Sequence, residues 1–298
     1  ALHRLQAWIA EDKNLIWRNL LTDGLLAPLT SIAPSTTSAA ITTYWTGTPP
    51  TQHGVAGYEQ WLREYSLIAN MIEHKPITYT GGTGNMTMAG FEPETFLPVP
   101  TFGTHLKENG VASHSFQHFS LAHSGLSRTF MKGTSVHPFS TQADLFISLR
   151  QFLETTTDER LYTWVYWSAV DSLSHFHGPN HQKPKADFSH FSMAFEHFFL
   201  NQLDRSAHQD TLVILTADHG QITTNNLEEH YNLNNHPNLL RRLHMLPTGE
   251  NRKPFLYVKP GQIEAVKETI TNTWPNQFTV LDSDYALHQG LFGPGVPY

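Results

Sequence analysis

The sequence predicts an α/β fold in which helices flank a largely parallel central sheet, and three observations predict it. Apolar runs of strand length recur with helical stretches between them. The polar clusters richest in reactive side chains each follow such a run directly, which is where open α/β sheets place their ligand sites. Hydrophobic residues make up 39% of the 298 and charged residues only 15%, so the chain can bury a core and is not of the disordered class.

The elements follow in order. Leu2, Leu5, Trp8, Ile9, Leu15, Ile16, Leu20 and Leu21 form a helical stripe that runs to Thr22-Asp23-Gly24. Residues 29–33 read as a short strand stopped by Pro34, and the Ala- and Thr-rich residues 36–45 as the start of a helix. Residues 54–100 carry Gly and Pro clusters and read as an irregular or cap-like insertion. A helix around 102–108 precedes a strand at 111–116, and the amphipathic stretch 143–153 leads into a strand at 161–167. A helix at 187–203 comes before residues 211–216, whose unbroken apolar run predicts the most buried strand. A strand at 255–258 and a helix at 262–273 complete the alternation.

Composition narrows the function. The formal charge of −7 argues against a nucleic-acid polymer as partner. No apolar run is long enough to span a membrane. The absence of cysteine excludes disulfides, thiolate metal sites, cysteine nucleophiles and iron–sulfur clusters. The 19 histidines equal all Lys and Arg together, so a metal site built from imidazole and oxygen ligands is the natural thing to look for.

Three clusters carry the chemistry. Pro34-Ser35-Thr36-Thr37-Ser38 runs from a strand into a helix, where the positive end of the helix favours an alkoxide or a phosphate; the same residues also suit a plain N-cap. Asp171 and His175 are spaced i, i+4, so one helical turn brings carboxylate and imidazole onto one ion, or else Asp171 caps a helix and His175 is exposed. Asp218-His219-Gly220 ends the 211–216 run, where a carboxylate and an imidazole need partners and glycine lets a ligand approach closely. Together they supply a hydroxyl nucleophile, two carboxylates and two imidazoles, the inventory of a hydrolase with two adjacent divalent ions. Zn²⁺ fits that ligand chemistry best. Arg241-Arg242 and residues 247–252 either contact an anionic substrate or are solvated, and His177 and His181 flank the second cluster as candidate supporting groups.

Thr216-Ala217-Asp218-His219-Gly220 resembles the signature of the alkaline phosphatase superfamily, and Asp171-x-x-x-His175-x-x-Gly178-Pro179 is similar to its second metal box. Pro34-Ser35-Thr36-Thr37 followed by Thr46-Gly47-x-Pro49-x-x-x-His53-Gly54 resembles the nucleophile region of the type I phosphodiesterase/nucleotide pyrophosphatase branch. The resemblance implies an alkaline-phosphatase-like layered fold and hydrolysis of a small-molecule phosphate ester. It makes Thr37 the nucleophile, with Thr36 its rival, and Asp171, His175, Asp218 and His219 the ligands of two divalent ions, Zn²⁺ foremost. A phosphomonoesterase or phosphomutase of the same superfamily is the alternative, and a non-catalytic binding protein that keeps the fold is the rival from another class.

The departures are specific. The family's first ligand, an Asp-Gly after the first strand, has only Asp23-Gly24 as a counterpart, 14 residues before Thr37 and not preceded by an apolar strand. Its last ligand, a histidine in a His-Gly pair, has only His288-Gln289-Gly290. The chain therefore reads as a single catalytic domain, 1–298, truncated at both ends. Where the branch carries a phosphoryl-binding Asn, four residues past the His-Gly glycine, this chain has Tyr58, a weak candidate for substrate binding.

Overall fold

The computed structural model describes residues 1–78, 85–156, 160–224 and 229–295. Among them are eight short strands: β1 (Glu59–Leu62), β2 (Leu67–Asn70), β3 (Lys75–Pro76), β4 (Ala112–His118), β5 (Ser135–Phe139), β6 (Leu161–Tyr166), β7 (Thr248–Glu250) and β8 (Lys253–Phe255). They form a parallel sheet ordered β5-β4-β6 and an antiparallel sheet ordered β3-β2-β1-β7-β8. The chain is mixed α/β and divides into two compact units.

In the first unit (Ala1–Ser31, Pro93–Thr95 and Pro100–Thr223), β4 lies between β5 and β6, with Phe116 opposite both His137 and Val165. The crossovers that parallel strands require carry the helices Gly125–Phe130 and Gln142–Thr155. The second of these starts at a reciprocal pair of bonds: Thr141 Oγ1 accepts from the Asp144 N–H at 3.1 Å, and the Asp144 carboxylate accepts from the Ser140 N–H at 2.8 Å. Its Leu145, Phe146 and Leu149 meet Trp17, Phe116, Phe191 and Phe195 in the core. Trp17 stacks on Phe195 at 5.3 Å while its indole N–H donates to Ser192 Oγ at 2.8 Å, so both the ring and its polar tip are satisfied.

Differences from expectation here have local causes. The helix expected from residue 187 starts earlier, as Gln182–Ala194, and continues as the π-helical Phe195–Leu200. Pro184 lies in its first turn, where a missing N–H costs no hydrogen bond. Strand β5 was hidden by His137 and Pro138, which interrupt its pattern; it is an edge strand, where proline is tolerated.

Two expected strands are not strands. Residues 29–33 and 211–216 join no ladder among the described residues, and their apolar side chains face outward, with Leu29 82% exposed, Leu212 83% and Ile214 77%. Apolarity makes a segment fit for a buried sheet, but only a neighbouring strand supplies the partners its N–H and C=O groups need. The parallel sheet ends at β6, and neither run is joined to it. The two runs do meet where Ser31 Oγ donates to the Asp218 carbonyl at 2.5 Å.

The second unit (Ile32–Glu92, Phe96–Val99 and Thr224–Tyr298) holds the antiparallel sheet. Strands β1 to β3 come from within residues 54–100, of which 79–84 lie outside the described residues. Glu59 pairs with Asn70 on β2 and with Gly249 on β7. A Cβ at Gly57 would lie 2.6 Å from the Gly249 Cα, so this close approach requires glycine. Val55, Leu62, Ala69, Met71, Met86 and Phe91 form its main core. The helix Ile263–Thr273 packs Val266 and Ile270 against Leu239, Leu243 and Trp274 in a second cluster. The strand expected at 255–258 is cut short: β8 ends at Phe255, and Val258 makes an isolated bridge with Leu243. No helix among the described residues is long and apolar enough to cross a membrane.

Candidate metal centre and nucleophile

In the first unit, β6 turns directly into the helix Ala169–His177, which places Asp171 in its first turn. The i, i+4 spacing does what the sequence predicts: His175 Nε2 lies 3.5 Å from Asp171 Oδ1. His219 approaches the same oxygen, its Nε2 3.9 Å from Asp171 Oδ1 and 3.6 Å from Asp218 Oδ2. Thus all four predicted ligands, drawn from two boxes far apart in sequence, converge.

The electrostatics of this cluster are unbalanced. His219 Nδ1 lies 3.0 Å from the Gly220 carbonyl, which only accepts, so Nδ1 carries a proton, and Nε2 is the nitrogen turned toward the two carboxylates. The His219 side chain is only 7% exposed. Asp218 Oδ1 accepts from the His219 N–H at 3.0 Å, whereas Asp218 Oδ2 is buried with no hydrogen-bond partner among the described residues. A bound cation would give the orphaned oxygen a partner. Among the described residues no group of three or more His, Asp or Glu side chains is placed to hold a metal ion. In chemical type, two carboxylates and two imidazoles are the donors a divalent ion takes.

Gln221 was not foreseen. Its side-chain amide donates to Asp171 Oδ1 at 2.5 Å and to the Asp171 carbonyl at 3.2 Å, tying the two boxes together. The available signal was its position one residue past Asp-His-Gly.

Thr37 and Tyr58 belong to the second unit. Thr37 is the first residue of the helix Thr37–Thr46, and Thr36 is its extended N-cap, with no side-chain capping bond. The helix is anchored by its own hydroxyls: Ser38 Oγ donates to the Gly57 carbonyl and Thr42 Oγ1 to the Ser38 carbonyl, each at 2.7 Å. Tyr58, next to Gly57, is 40% exposed, and its OH accepts from Asn70 Nδ2 at 2.9 Å. Arg252 was weighed only as one of several anion-contacting or solvated residues. Its Nη2 donates to the Ser35 carbonyl and hydroxyl at 3.2 and 3.3 Å, two residues before Thr37, and its Nε pairs with Glu250 at 3.4 Å.

His53, of the His-Gly pair, is structural in this setting. The Val55 N–H donates to its Nδ1 at 3.0 Å, so Nε2 carries the proton and donates to Thr43 Oγ1 at 2.9 Å, bracing the helix Thr37–Thr46. Complete burial penalises its imidazolium and brings the pKa down from 6.5 to about 4. A folded-state pKa below the unfolded one means that the unfolded chain binds the extra proton. The stabilisation is therefore full above pH 6.5 and is lost as the pH falls toward 4, by about 3 kcal/mol in all. Denaturant unfolding of wild type and His53→Asn across this range should show the difference between them shrinking with acid; a constant difference refutes the assignment.

The family model described as Type I phosphodiesterase / nucleotide pyrophosphatase matches residues 13–290. No curated protein matches the chain.

Proposed function

The chain belongs to the type I phosphodiesterase / nucleotide pyrophosphatase family, a family of phosphoester hydrolases, and from that premise we propose that it cleaves phosphodiester or pyrophosphate bonds of small molecules with a threonine nucleophile and a two-metal centre. The observation that carries this is the convergence of Asp171, His175, Asp218 and His219 around an orphaned carboxylate oxygen. We assign Asp171 and His175 to one divalent ion and Asp218 and His219 to the other, with zinc preferred for nitrogen and carboxylate ligands. When bound, such ions neutralise phosphoryl charge and favour the ionised form of an attacking hydroxyl.

Thr37 Oγ1 attacks phosphorus in line as the ester oxygen departs, giving a phosphothreonine that water then hydrolyses. The start of the helix Thr37–Thr46 favours the negative charge that develops there. Tyr58 contacts the substrate, and its single hydroxyl donor replaces the amide usual in the branch. The fold we assign is the alkaline-phosphatase-like layered one, a largely parallel sheet flanked by helices. Residues 1–298 act as one catalytic domain, with 54–100 as a cap-like insertion.

One observation favours monoester chemistry as a second reading. The Arg252 guanidinium, which also pairs with Glu250, reaches Ser35 two residues before Thr37, where its remaining N–H groups suit a phosphoryl group with two ionised oxygens. The deciding experiment gives the zinc-loaded chain an aryl phosphodiester and an aryl phosphomonoester. Diester turnover above monoester turnover, lost to a chelator and restored by zinc, is the expected result. The reverse ranking selects the monoesterase, and zinc uptake without turnover of either selects the binding protein.

A further inference from the structure

The amide of Gln221 reaches across to the other metal box and touches Asp171 twice, through Oδ1 at 2.5 Å and through the main-chain carbonyl at 3.2 Å. Both partners only accept, which fixes the amide nitrogen toward them. The oxygen it holds, Oδ1, is also the one that stands 3.5 Å from His175 Nε2 and 3.9 Å from His219 Nε2. A carboxylate oxygen has two lone pairs, so a donor on one sets the carboxylate plane and leaves the other for a cation. We propose that Gln221 is the positioning residue of the metal centre, holding the Asp171 carboxylate so that Oδ1 faces the two imidazoles before any ion arrives.

This role rests on the proposal that Asp171, His175, Asp218 and His219 bind metal. A neutral amide suits it better than a lysine or an arginine, because it donates without placing a positive charge beside the incoming cation. The carbonyl bond adds direction: it anchors the amide to the first turn of the helix Ala169–His177, so side chain and backbone of Asp171 are held by one group.

The test is a zinc titration of the full chain against a chromophoric chelator, with thermal unfolding of the metal-free chain in parallel. Gln221→Met keeps the length and removes the donor. It should weaken zinc binding roughly 10–100-fold while moving the metal-free midpoint by no more than about 4 °C. Gln221→Asn, its amide one methylene short, should show the same loss and carries the test if the Met variant does not fold. Wild-type zinc affinity in a folded variant overturns the positioning role, even if turnover falls. So does a loss of affinity matched by an equal loss of metal-free stability, which marks Gln221 as a structural tie. A wild-type chain that takes up no zinc overturns the metal centre itself, and Gln221's role with it.

Discussion

Thr37→Ala is expected to lower phosphoester turnover by at least about a thousandfold while leaving zinc uptake and folding intact. The substitution removes one hydroxyl and one methyl at the first position of a helix whose buried face lies further along, at Ser38, Ala39, Ala40, Ile41, Thr42 and Trp45. Alanine is also the best helix former, so the start of the helix survives. Thr36→Ala is the built-in comparison. Thr36 makes no capping bond through its side chain, so its loss should cost little stability and little rate. Quenching the reaction early and searching for a phosphorylated peptide distinguishes the two threonines directly. Phosphate on Thr37 in wild type, absent from Thr37→Ala, is the expected outcome. Unchanged turnover in Thr37→Ala, or phosphate on Thr36, removes Thr37 from the mechanism.

What was legible in the sequence depended on how local its cause is. The Asp171–His175 pair was readable because i, i+4 spacing on a helix fixes distance without help from the rest of the fold. The helix Phe102–Glu108 and strands β4 and β6 were readable for the same reason, since their patterns are contained within each segment. Residues 211–216 failed because membership of a sheet belongs to the neighbour as much as to the segment, and an apolar run does not say who pairs with it. The antiparallel sheet was invisible because β1 to β3 and the β7–β8 hairpin are short and join across most of the chain. Gln221 escaped because its meaning lies in a bond to a residue fifty positions away. The meeting of the two boxes was inferred from their shared place after apolar runs, and they converge although one of those runs is not in the sheet.

The second large effect expected is at Asp218. Asp218→Asn keeps the shape and removes the charge, and should cost one zinc ion together with roughly a thousandfold in turnover, the scale of several kcal/mol of lost charge stabilisation. Stability should move the other way. In the metal-free chain Asp218 Oδ2 is a buried oxygen without a hydrogen-bond partner among the described residues, 3.6 Å from His219 Nε2. Asparagine removes the charge from an oxygen that lacks a hydrogen-bond partner, so the metal-free variant should match wild type or exceed it by on the order of 1 kcal/mol. A residue kept for packing would behave oppositely, losing stability and activity together. Zinc stoichiometry and metal-free unfolding of one variant therefore separate the two explanations. An Asp218→Asn chain that still holds wild-type zinc, or one destabilised by several kcal/mol without metal, would show that this carboxylate serves the fold. If instead affinity falls while the metal-free chain holds its stability, the carboxylate is kept for the ion, because a bound cation gives Oδ2 the partner it otherwise lacks.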